Sequence, residues 1–450
     1  LGVAGAAPHH DGGGIPELAG GLVALTIAIV LLAPVLLGVI AAAGRLSPIS
    51  VRLALRDLAR YRARSGPALA AISLATLITV IICVASAASF GGALGYTGPN
   101  LTSSQLIVWT PSGPYGGETT GPKGAGPGNC PNCQTNAPPV SEAEAQKVAN
   151  EITAGLGPAT TVILESTSAG LEHGSGASFS GPIFVATPQL LNAFGIKQSQ
   201  ISPGADILSM RPGLSTTSMM QLAYGSYAVG PGQWPCPPGG TCVDNPVIQE
   251  VSQLPSGTSA PNTVITEHAV AALRLRSSIT TSGWLIAVPN GLTAAQIVRA
   301  RQLAAGASGM SVETRGSIPS LTQVLDTATA FGIVLALGIL SMSVGLVRSE
   351  AARDLRTLTA TGAAPRTRRT ITAATAGALA LTGAVIGIVG GYLATMAVAR
   401  GDQQIGLSAL RSVPVTNLLV ILIGMPLAAV IIGWLVAGRE PAAVARQPLE

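Results

Sequence analysis

The chain has 450 residues, 48% of them hydrophobic and only 10% charged, with a mean hydropathy of +0.50. Soluble globular chains average about 25% charged residues, so the composition excludes a single water-soluble globule. The net charge of +5 would suit a nucleic-acid binder. Its distribution excludes that class, because most of the arginines lie in short patches beside apolar segments, a mark of membrane topology.

Residues 1–17 are expected to form an external segment. They hold no signal peptide, no initiating Met and no positive charge, so the reading is that Leu1 is not the native start. His9 and His10 lie in this Gly-rich end and carry no metal assignment. Five apolar stretches reach the ~20 residues a bilayer requires: 18–44, 67–90, 321–347, 371–398 and 416–438. The predicted fold class is therefore a membrane α-helical protein of five transmembrane helices with an inserted α+β extracytoplasmic domain.

The joint at 45–66 carries Arg45, Arg52, Arg56, Arg60, Arg62 and Arg64. Arg52, Arg56, Arg60 and Arg64 recur every four residues and share one helical face, with Leu55, Leu58 and Tyr61 toward the other. This predicts a cytoplasmic amphipathic basic helix suited to the inner-leaflet interface.

The insertion at 91–320 is long enough for one or two folded units. Its stretch 111–139 is rich in Gly, Pro, Thr and Asn and reads as loop. Thereafter a helix is expected from Ser141, a strand at TTVILEST, a strand at PIFVAT leading into the helix PQLLNAFG, TVIT before the helix EHAVAALRL, and a strand–helix–strand unit of WLIAVP, LTAAQIVRARQLAAG and SVETR. Such alternation indicates an α+β or α/β domain.

Cys130, Cys133, Cys236 and Cys242 lie in the insertion, and Cys83 sits alone in the second span as a small apolar filler. An oxidising compartment suggests two disulfides with three possible pairings. Locality favours Cys130–Cys133 and Cys236–Cys242. A zinc site and a redox CPNC are the rivals. His173 and His268 each follow a Glu without an HExxH pattern or a triad, and no catalytic residue is assigned.

The joint at 348–370 holds Arg348, Arg353, Arg356, Arg366, Arg368 and Arg369, and the tail 439–450 holds Arg439 and Arg446. The arginine-rich joints place 45–66, 348–370 and 439–450 in the cytoplasm, and 91–320 and the loop 399–415 outside. In 348–370, Glu350, Arg353, Asp354 and Thr357 fall at helical spacing. Leu355 and Leu358 form an apolar edge, Gly362 is a terminator, and Pro365 cannot continue a helix interior. Reconnecting two helices takes ~2–8 residues, so this longer joint could present a docking surface. In the fourth span Gly383, Gly387 and Gly391 form two overlapping GxxxG patterns, a close-packing surface whose bland alternative is Gly tolerance in a Gly-rich chain. Span one ends LLGVIAAAGRLSPISVR and span five AAVIIGWLVAGREPAAVAR, which suggests a repeated unit.

The run from Glu350 through Leu358 and Gly362-Ala363 to GALALTGAVIGIVGGYLA, with the closing REPAAVARQ and the upstream ALRDLARYRARSGPALAAISLA, resembles the FtsX-like ABC-transporter permease family. It is similar to the C-terminal part of a ten-span, two-repeat member. The insertion resembles the porter-like external domain of MacB-type permeases by position and size. The turn departs from the family, with TLTATGAA where Arg-Ala-Leu-Gly-Ala is common. The resemblance implies a bacterial plasma-membrane subunit whose coupling helix docks a cytoplasmic ABC ATPase dimer through Glu350, Arg353, Asp354, Arg356, Leu358 and Gly362. That partner would bind ATP and Mg, since this chain has no GxxxxGK[ST] phosphate loop and no cofactor of its own. Movement of the external domain would export or extract a lipid, lipoprotein or peptide. In a second version the chain is a non-transporting mechanotransmitter that controls an external cell-wall hydrolase. A membrane-anchored external enzyme or receptor is the rival of another class, and it leaves the 348–370 joint unexplained. Membrane lipid is an expected partner and nucleic acid is not.

Overall fold

The computed structural model describes residues 14–43, 49–60, 62–111, 140–167, 169–174, 179, 181–224, 236, 242–350, 365–401 and 412–436. The chain divides into two compact units, one of Leu1–Ser89 with Thr322–Glu450 and one of Phe90–Leu321.

The first unit is helical. It contains α1 (Gly14–Ala43), α2 (Ile49–Arg60) and α3 (Arg62–Phe90), and, after the insertion, α8 (Leu321–Glu350) and α9 (Pro365–Gly401). The last helix is α10 (Val415–Leu419), a π-helical turn (Val420–Gly424) and α11 (Met425–Val436). Among the described residues four stretches are long and apolar enough to cross a membrane: Ser65–Phe90, Leu321–Gly345, Arg369–Ala399 and Val415–Leu435. α1 adds the apolar stretch Val23–Val39.

Two boundaries differ from the sequence expectation. The third span and the start of the joint are one continuous helix, because Arg348–Glu350 prolong α8. Pro365 opens α9, a position where its missing N–H is orphaned anyway and its fixed φ suits a helix. The amphipathic α2 also uses its apolar edge differently. Leu55 and Leu58 are buried in the helical core with Ala33, Leu37 and Leu69, and α2 packs on α1 and α9. That edge is covered by protein, while Arg56 and Arg60 stay exposed.

The second unit is α+β. An eight-stranded mixed sheet has the order β11-β1-β10-β2-β4-β9-β5-β8, beside a three-stranded sheet β3-β6-β7. The strands of the first half are β1 (Gln105–Trp109), β2 (Thr160–Ser166), β10 (Thr280–Ala287) and β11 (Ser311–Thr314), all antiparallel to their neighbours. With α4 (Glu142–Leu156) after β1 and α7 (Ala294–Ala305) after β10, they make a split β-α-β-β-α-β unit of strand order 4-1-3-2. Its helices form where the local chemistry directs. Ser141 caps α4 by accepting from the Glu144 N–H, and Ala145, Ala149, Ile152 and Leu156 line its buried stripe. Thr293 and Gln296 form a capping box at α7. Leu106, Val108, Trp284 and Ile286 pack under these helices. Ile107, Trp109, Leu164 and Leu285 point to the other face, so period-two alternation buries both sides of the central strands. At the bulge in β10, Gly283 lies so close to the Val108 carbonyl that a Cβ would collide with it.

Between β2 and β10 the chain inserts the remainder: β3 (Ala169–His173), β4 (Phe184–Val185), α5 (Pro188–Ala193), β5 (Ile207–Ser209), β6 (Met220–Tyr224), β7 (Cys242–Asp244), β8 (Ile248–Glu250), β9 (Thr263–Ile265) and α6 (Glu267–Ala272). Here β4 pairs parallel with β9, and β5 parallel with β8.

Candidate functional site: a glycine-lined helix contact

Small residues on α9 meet α3 in register. A Cβ on Gly383 would lie 2.5 Å from Ile72 Cγ2. One on Gly387 would strike Thr76 Oγ1 and come within 2.9 Å of the Leu77 amide nitrogen, and one on Gly391 would lie 2.8 Å from Val80 Cβ. The series 383, 387, 391 thus matches 72, 76, 80, and both numbers rise together, so α3 and α9 run parallel. The Thr76 hydroxyl donates to the Gly383 carbonyl at 3.0 Å and to its own helix at Ile72 and Ser73. All three predicted glycines lie at this one contact.

The other contacts run antiparallel. Gly332 of α8 meets Thr79, and Thr329 Oγ1 lies 3.6 Å from Cys83 Sγ. Gly377 of α9 faces Val430, and Gly433 faces Ala373 and Ala376. In α1, Pro34 lies 3.9 Å from where a Gly66 Cβ would be, and Ile29 approaches Gly390. The directions of α1, α3, α8, α9 and α11 therefore alternate along the chain. That pattern is what successive crossings of one layer require.

Polar groups stitch the helices where the contacts are less small. Asn417 Nδ2 donates to Thr329 Oγ1 at 3.0 Å and to Asp326 Oδ1 at 3.2 Å. In an apolar surround such bonds replace unsatisfied polar groups. At the other end of α9, the Arg369 guanidinium lies over the Trp434 ring at 5.0 Å. Its Nε is buried and has no hydrogen-bond partner among the described residues. The π-helical turn precedes Pro426, whose ring removes a helical donor. Cys83 is buried and free, as the filler reading expects.

Of the predicted docking residues, Glu350 closes α8. Arg353, Asp354, Arg356, Leu358 and Gly362 lie outside the described residues, as do Cys130, Cys133, His9 and His10. In the inserted unit Cys236 and Cys242 form a disulfide, so that predicted pairing holds. The Cys236 amide donates to both Asp244 carboxylate oxygens, at 3.1 and 3.0 Å. His268 Nδ1 lies 3.1 Å from Asp206 Oδ1, and His173 ends β3. Among the described residues no cluster of three His, Cys, Asp or Glu could hold a metal.

Sequence reasoning missed the buried charges, Arg211 and Glu313 among them. Arg211 is fully buried. Its Nε donates to Asn262 Oδ1 at 3.1 Å, and its Nη1 donates to the carbonyls of Ala93 and Leu94 at 3.4 and 3.3 Å. The Phe179 ring stacks on it at 4.0 Å and Tyr96 at 5.6 Å. Burial raises the Tyr96 phenol pKa, and the Arg211 charge opposes the rise. Glu313, also buried, accepts from Trp109 Nε1 at 2.7 Å and from the Ser259 hydroxyl. Neither position had a local sequence signal, since each is paired by residues distant along the chain.

Residues 327–439 match the family model of the FtsX-like permease C-terminal domain. No curated protein matches the chain.

Proposed function

On the premise that residues 327–439 form an FtsX-like permease C-terminal domain, we propose that this chain is the membrane-spanning subunit of an ABC transporter in a bacterial plasma membrane. The observation that carries the reading is where the matched segment falls. It takes in most of α8, the joint to α9, all of α9 and the last helix; α8 and α9 pack on α3 through glycines, and the last helix packs on α9 and bonds to α8.

In this reading α1 is a fifth span, the arginine-rich joints lie in the cytoplasm, and Phe90–Leu321 lies outside. A separate ATPase dimer, carrying ATP and Mg, docks on 348–370 through Glu350, Arg353, Asp354, Arg356 and Leu358, with Gly362 at the turn. The support is mechanical. Glu350 is the last residue of α8 and Pro365 the first of α9, so a push on the joint acts on two helices at once. α8 begins at Leu321, where the inserted unit ends, which gives that push a covalent path to the insertion. The exposed helix faces are apolar, with Phe331, Val334 and Met342 among them. That suits a lipid, lipoprotein or hydrophobic peptide as the exported or extracted class.

The test is co-purification of the ATPase with E350A/L358A. The variant should insert at wild-type level and lose most of the bound ATPase, or keep it with transport-linked ATP hydrolysis uncoupled. Wild-type yield and activity of the co-purified ATPase would overturn the docking assignment.

A further inference from the structure

A groove of about 570 Å³ opens between α1 and α3. It is lined by Thr26, Ile29, Val30 and Pro34 of α1, and by Gly66, Pro67, Ala70, Ala71 and Leu74 of α3. The space exists because Gly66, Ala70 and Ala71 are small and because Pro34 stands opposite Gly66. On α3 it spans nine residues, Gly66 to Leu74, about 12 Å of helix. Its wall is apolar apart from the Thr26 hydroxyl.

The foot of this groove is fixed beside a basic surface. The Ser65 hydroxyl donates to the Leu58 carbonyl at 2.9 Å, which holds the last turn of α2 against the start of α3, one residue from Gly66. The buried edge of α2, at Ala54, Leu55 and Leu58, turns its other face outward. That face carries Arg52, Arg56 and Arg60 at four-residue spacing, with Arg56 and Arg60 exposed. The foot of the slot at Gly66 thus adjoins, through Ser65, the last turn of a helix whose outward face carries arginines. An occupant must be apolar along its length and anionic at one end.

We propose that the groove seats one acyl chain of an anionic glycerophospholipid, with its phosphate against the arginine face of α2. This rests on the helical unit being membrane-embedded and not on the identity of any ATPase or cargo. In a bilayer the material available at this depth is hydrocarbon, and an empty slot would forfeit its dispersion contacts. Basic residues beside a span attract anionic headgroups. The lipid would fill the gap between α1 and α3 and fix the angle at which α2 meets α9.

The experiment is native mass spectrometry of the delipidated full chain titrated with phosphatidylglycerol or phosphatidylcholine. The wild type should hold one phosphatidylglycerol with a preference of about tenfold over phosphatidylcholine. R52Q/R56Q, altered only on the outer face, should retain one lipid but lose the preference. A70F/A71L, which fills the slot, should lose the first bound lipid of either kind. Retained preference in R52Q/R56Q overturns the proposal. So does an unchanged first lipid in a folded A70F/A71L, or an Ala71→Cys crosslink showing a helix of a second copy in the groove. Because no ATPase takes part, loss of the permease reading would leave the result standing.

Discussion

At the scale of single residues, the inserted unit is held by a few side chains whose partners come from far along the chain. Arg211 shows the logic. A fully buried guanidinium is tolerated because two backbone carbonyls, an amide and an aromatic face replace water. Removing the side chain leaves the carbonyls of Ala93 and Leu94 and the Asn262 amide short of donors, and it opens a cavity under Phe179. Arg211→Ala should therefore destabilise the inserted unit by about 3 kcal/mol or more, measured as a fall in its denaturation midpoint. Tyr96→Phe, which removes one exposed hydroxyl bond to the Ser256 carbonyl, should cost about 1 kcal/mol. The disulfide belongs to the same scale. Cys236 and Cys242 close a short loop, and reducing them should cost about 2 kcal/mol. Their pairing was legible because the two residues are close in sequence. Arg211 and Glu313 were not, because nothing near either of them hints at Asn262, Trp109 or Ser259.

At the scale of elements, the contact between α3 and α9 is the most constrained feature of the helical unit. Glycine at every fourth position lets two parallel helices approach until Thr76 bonds across to Gly383. Gly387→Ala should lower the thermal midpoint in detergent by an amount equivalent to about 1–3 kcal/mol. Thr76→Ala should recover part of that loss when combined with it, since the added methyl collides with the Thr76 hydroxyl. The Leu77 amide remains in the way, so recovery should be incomplete, and a double-mutant cycle reads the coupling directly. The GxxxG spacing announced this surface, but only the packing identified α3 as its partner. The strands show the opposite case. QLIVW received no element from the sequence, yet it is β1, buried on both faces between β11 and β10. Two- and three-residue strands such as β4 and β5 have no pattern of their own, and their pairings alone define them.

At the scale of the whole molecule, the insertion between α3 and α8 should be separable. Its chain enters and leaves at one place, since the Leu321 amide donates to the Thr97 carbonyl at 3.2 Å. It also contains three buried apolar clusters of its own. A fragment spanning residues 90–321 should be soluble, show mixed α/β circular dichroism and unfold cooperatively. A collapsed or aggregated fragment would show that the insertion depends on the helical unit.

The apolar spans, the arginine-rich joints, the glycine spacing and the alternation of helix and strand in the insertion followed from the sequence alone. Each is local, set by a residue's neighbours within one or two turns. Only the tertiary structure decided that α2 spends its leucines on protein, that α9 packs parallel on α3, and that β1 and β10 close a split β-α-β-β-α-β sheet around a long insertion. It also decided that α1 and α3 leave an apolar slot at the foot of a basic helix. Those outcomes depend on which distant segments meet, and a local pattern carries no information about its partner.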